Sequence, residues 1–187
     1  MLEAIKRRMK LLARRAAPRR FLRRQDGAAA VEFAAVIVPF LVIMFGIMET
    51  ALVFFADQTL ETAVSDSARL IMTGQAQTQS LTAKTFKDAV CARISGLLNC
   101  STGVYVNVQT LANFGSFSYT PPLDGQGNLQ SGNFVYQPGG PGDIVVEQLF
   151  YQWPILVSLM HLGNLSNMAG NNRLLVATAA FRNEPYN

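Results

Sequence analysis

At 187 residues, half of them apolar and only 15% charged, the chain has room for one modest core plus an apolar anchor, and no second domain fits comfortably. Its charge is divided unevenly: residues 1–27 carry ten Lys/Arg against Glu3 and Asp26, whereas residues 28–187 hold six Lys/Arg against ten Asp/Glu. The net charge of +4 therefore belongs to the first 27 residues, and a chain lacking them is acidic. Two cysteines and one histidine fall short of the four ligands of a structural zinc site, and the local spacing of a catalytic one is missing, so no metal is expected.

In chain order, Leu2, Ile5, Met9 and Leu12 recur at helical spacing among Lys and Arg, which makes residues 1–24 a basic amphipathic segment. Two roles are compatible with it, binding to anionic lipid or a solvated tail that fixes topology. From Phe33 to Met48 run sixteen uncharged residues, and the apolar character resumes over Ala51–Ala56. With its flanks this stretch reaches the ~20 residues that cross a bilayer. Glu32 and Glu49 bracket it, roughly 25 Å apart along a helix, where a charge costs far less than at mid-membrane. Pro39 lies inside the span as a candidate kink. The basic flank places the N-terminal side in the cytoplasm, and everything after residue 56 is expected on the other side. A cleaved secretory signal is disfavoured, because Phe54-Phe55-Ala56 lacks the small residue of an A-x-A site.

The helical stripe continues through Leu60, Ala63, Val64, Ser67, Ala68, Ile71 and Met72, with Gly74 as its C′ stop. A second helix is expected after Ser80 as N-cap, with Phe86, Val90, Ile94 and Leu97 on one face. Cys91 lies on that helix and Cys100 just past it. On the far side of a membrane the two are expected to form a disulfide, the alternative being two separate buried thiols. Val104–Leu111 alternates as a strand. Residues 112–142 hold seven of the fourteen glycines and four of the eight prolines, which marks a long surface excursion with room for a weak hairpin. Asp143–Trp153 and Arg173–Arg182 have strand character, with a short helix expected after Pro154. His161, in the apolar run Ile155–Leu162, is a helix-end residue rather than a catalytic base. The order favours an α+β fold, an antiparallel sheet packed on the long helix.

The stretch Gln25-Asp26-Gly27-Ala28-Ala29-Ala30-Val31-Glu32-Phe33, between the basic leader and the apolar helix, resembles a type IV prepilin processing site, and the chain resembles the TadE-like family of the Tad (Flp) pilus system. The resemblance is strongest over residues 23–75. Tyr151-Gln152-Trp153-Pro154 and Ala177–Tyr186 are similar to late segments of such proteins, although a plain core role suits Trp153 and Phe181 better, and Arg182 and Glu184 suit a solvated end as well as a docking surface. It implies that a prepilin peptidase cuts after Gly27 and frees Ala28. Glu32, one helical turn away at i+4, then pairs with an ammonium group during subunit association. Residues 1–27 become a removed cytoplasmic leader, 28–75 a transmembrane and spine helix, and 76–187 an exported α+β domain. Partners implied are the peptidase, other pilins, the Tad assembly platform and the bacterial inner membrane. Ala28 departs from the Phe usual after the glycine in type II secretion pseudopilins, which argues against those systems. No catalytic fingerprint, cofactor motif or aromatic-laced basic patch points to an enzyme, a cofactor or nucleic acid. The rival reading is a membrane-tethered binding or scaffold module that keeps its leader.

Overall fold

The computed structural model describes residues 27–94, 96, 98–155 and 165–186. Residues 1–26 of the expected leader, Leu97, His161 and the short helix expected after Pro154 lie outside the described residues. Helix α1 spans Ala28–Met72 and is continuous through Pro39. It stops where expected, at Gly74, whose φ of +76° is the left-handed conformation that favours glycine. The chain divides into two compact units, residues 1–46 and Ile47–Asn187.

In the first unit the helix presents Val31, Phe33, Val36, Val38, Phe40 and Ile43 to its surroundings, all exposed. The helix is long and apolar enough to cross a membrane, with a mean hydropathy of 2.5 in its most apolar window and no residue of that window buried.

The second unit, Ile47–Asn187, is α+β. After α1 come α2 (Gln75–Thr78), α3 (Ala83–Cys91), α4 (Cys100–Gly103), β1 (Val104–Leu111), β2 (Ile144–Pro154) and β3 (Asn172–Arg182). The strands form one antiparallel sheet in the order β1-β2-β3, with Val108 opposite Glu147 and Glu147 opposite Ala179. Alternation sends Val104, Val108, Val145, Leu149, Leu175 and Ala177 to one face, where they share a core with the α1 stripe Val53, Ala56, Leu60, Ala63, Val64 and Ile71. Phe86 and Val90 of α3 close that core, both fully buried. Burying each large apolar side chain here stabilises the fold by about 1.5–3 kcal/mol.

Two expectations change. Helix α3 is capped by Thr82 and not by Ser80: the Thr82 hydroxyl accepts from the Thr85 amide while the Thr85 hydroxyl accepts from the Thr82 amide, and this reciprocal pair outcompetes Ser80, which sits in a turn with φ +50°. The helix also ends at Cys91, so Ile94 reaches the core from the segment beyond it. Residues 112–142 are more than a surface excursion. Leu123 and Leu129 bridge as a minimal hairpin around Asp124, whose carboxylate accepts from the Gln126 and Asn128 amides. Further on, Phe134 stacks on Phe150 with ring centroids 4.8 Å apart, covering the sheet face opposite α1. Residues 135–137 then lie along β1, where the Val108 amide donates to the Val135 carbonyl and the Gln137 amide to the Val108 carbonyl. The coverage leaves β2 buried on both faces, with Val146 and Phe150 on one side and Val145 and Leu149 on the other.

Candidate functional site

Gly27 precedes the first residue of α1, Ala28, and both are exposed. A Cβ at Gly27 would meet nothing within 4 Å among the described residues, so no packing among them demands a glycine there. The three alanines that follow are strong helix formers with no bulk. Glu32 sits in the second turn, exposed among apolar side chains, with Val31 and Phe33 beside it. A carboxylate on a helix face that is otherwise apolar is expensive to desolvate unless a cation meets it, so this face is chemically suited to ion pairing inside an apolar assembly.

Glu49, expected at the outer edge of the span, is buried at 5% exposure within the second unit. The folded unit thus begins before the apolar run ends, and Glu49 is part of its packing.

Cys91 and Cys100 are brought together as a disulfide, with Cα atoms 5.5 Å apart across nine positions. The bond links the last residue of α3 to the single turn that opens into β1. The segment it closes also carries Ile94 and Leu98 into the core, and the Asn99 amide donates to the Tyr151 hydroxyl at 3.3 Å. Trp153 and Phe181 pack partly buried against the core, in keeping with a structural role. Arg182 is exposed and its Nε donates to the Gly142 carbonyl, while Glu184 holds α1 through its amide, which donates to the Met72 carbonyl.

One residue was missed by sequence reasoning. Glu147, at the centre of β2, has no exposed surface and faces α1, where Ser67 Oγ lies 2.5 Å from its Oε1. Burial pushes its carboxyl up to about 8, with the Ser67 hydrogen bond and the Arg93 guanidinium pulling the other way. Strand alternation held the signal, because Glu147 occupies the same face as Val145, Leu149 and Tyr151, all core positions.

No curated protein and no solved structure matches this chain. Residues 27–69, from the glycine ahead of α1 to near the end of its buried stripe, match the family model described as TadE-like protein, the family that the sequence resembles.

Proposed function

We propose that this chain is a minor pilin or pseudopilin of a Tad (Flp) pilus, cut after Gly27 by a prepilin peptidase and held in the bacterial inner membrane by α1. The TadE-like match implies involvement in Tad pilus assembly. The observation that carries the finer reading is the coincidence at Gly27: the family match starts there, the helix starts one residue later, and the glycine has no packing reason of its own. Cutting there yields an amine on Ala28 at the start of α1, one turn from Glu32. The charge pair, within one subunit or between neighbours, makes an apolar helix face compatible with a filament core or an assembly platform. The part played is structural and not catalytic, with other pilins and platform proteins as partners.

N-terminal sequencing of the membrane-bound protein from cells with an active peptidase gives Ala-Ala-Ala-Val-Glu-Phe on this reading. Gly27→Val leaves the leader attached. An intact Met1 chain in those cells instead supports a tethered module that keeps its leader, and removes the pilin assignment.

A further inference from the structure

Within the apolar contact between α1 and the sheet, the Ser67 hydroxyl meets the carboxyl of Glu147. Ser67 Oγ lies 2.8 Å from the Ala63 carbonyl, 3.3 Å from the Val64 carbonyl and 2.5 Å from Glu147 Oε1, all buried. The hydroxyl owns a single hydrogen and carbonyls only accept. A neutral Glu147 donates to Ser67 Oγ, and Ser67 then donates to the Ala63 carbonyl, so both short contacts are satisfied. An ionised Glu147 takes the Ser67 hydrogen for itself. It also places charge on Oε2, which has no hydrogen-bond partner among the described residues.

The surroundings offer the charge little. Val108 on β1 and Ala179 on β3 stand opposite Glu147. The Tyr136 hydroxyl, on the segment beside β1, is buried with no hydrogen-bond partner among the described residues, and burial first, then the Glu147 charge, pushes its titration up to about 12. Arg93, past the end of α3, is the cation whose attraction reaches the carboxyl, and it is exposed.

We propose that the buried Glu147 carboxyl, seated against Ser67, is a protonation-dependent latch: neutral, it lets the second half of α1 stay on the sheet, and ionised, with Oε2 unpartnered among the described residues, it releases that half. The direction follows from linkage. With its titration raised by burial, Glu147 binds its proton more tightly in the closed state than in the open one. The latch is therefore at full strength below the ordinary carboxylate range and weakens as pH rises toward about 8.

The test is amide exchange over residues 60–71 of the full chain in uncharged detergent micelles, corrected for intrinsic exchange, between pH 5 and 8. In the wild type the opening equilibrium rises with pH by up to about tenfold per unit. In Glu147→Gln it is flat. Ser67→Ala, which removes the bond that lowers the titration, extends the rise to higher pH. A flat wild-type profile, or a rise that persists in Glu147→Gln, overturns the latch. Should Glu147→Gln fail to fold, infrared spectroscopy of the wild type decides. A protonated-carboxyl band lost between pH 7 and 9 supports the latch, and its absence at pH 7 refutes it.

Discussion

Replacing both Cys91 and Cys100 by serine measures how much of the α3–β1 corner is held by covalent closure. The bond closes a short loop whose ends lie nine positions apart. In the chain-entropy model, cross-linking a loop of about ten residues removes roughly 9 cal/mol/K from the unfolded ensemble, or about 2.7 kcal/mol at room temperature. That is close to a hundredfold in the folding equilibrium. The same loop is pinned independently by Ile94 and Leu98, both buried, and by the Asn99 amide on Tyr151. These anchors act in the folded state, whereas the entropic effect acts on the unfolded chain, so the two contributions are separable. Urea denaturation of the full chain in micelles, followed by the fluorescence of Trp153, gives the difference directly. The double serine variant and the reduced wild type are expected to lose the same ~2–3 kcal/mol. A loss below about 0.5 kcal/mol would show that the apolar anchors already fix the loop in the unfolded ensemble, and the entropic argument would fail.

Glu32→Gln is expected to leave cutting after Gly27 near normal while abolishing co-purification with other pilins and surface pili. Unchanged pili would reduce Glu32 to a marker of the membrane edge. Glu49→Gln, by contrast, changes a residue buried in the folded unit, so its effect is expected in the melting temperature and not in subunit association. Gly74→Ala meets two obstacles. Its φ of +76° costs a side chain about 1–2 kcal/mol, and the new methyl collides with the Tyr186 ring. Combining it with Tyr186→Ala removes the collision and keeps the backbone strain, so the double variant should be more stable than the two single losses added together. Strict additivity in denaturation would show that the ring moves aside freely.

Much of this architecture was legible because it rests on periodic burial. The α1 stripe from Leu60 to Ile71, the Gly74 stop and the Val104–Leu111 strand are each read from residues whose neighbours in sequence share the constraint. The later strands shifted by a residue at their edges, where Ile144 and Asn172 mark starts that pairing and not composition determines. The cap of α3 was misplaced because Ser80 and Thr82 are both chemically able to cap, and the choice depends on Thr85 replying from the next turn. Residues 112–142 were read as loop from their glycines and prolines, correctly as to backbone type. Their role in covering the sheet depends on Phe134 and Tyr136 meeting rings distant in sequence, on Phe150 and Phe86, which local pattern does not encode. Gly27 and Glu32 were singled out through the resemblance of residues 25–33 to a prepilin processing site, whereas Glu147 passed unnoticed because a lone acid in a strand ordinarily faces water.

The order in which the second unit is assembled along the chain carries its own consequence. The helix comes first, but its partners Leu175 and Ala177 belong to β3, and Gly74 receives Tyr186 from beyond that strand. A ribosome delivers these pieces in sequence. For most of synthesis the stripe from Val53 to Ile71 therefore waits without its cover, and β2 is an open edge until Asn172–Arg182 arrives. Contacts of such long sequence separation close slowly. Interrupted synthesis thus leaves an adhesive, unzipped intermediate, and a factor that shields an apolar helix during this interval would determine how many finished molecules emerge.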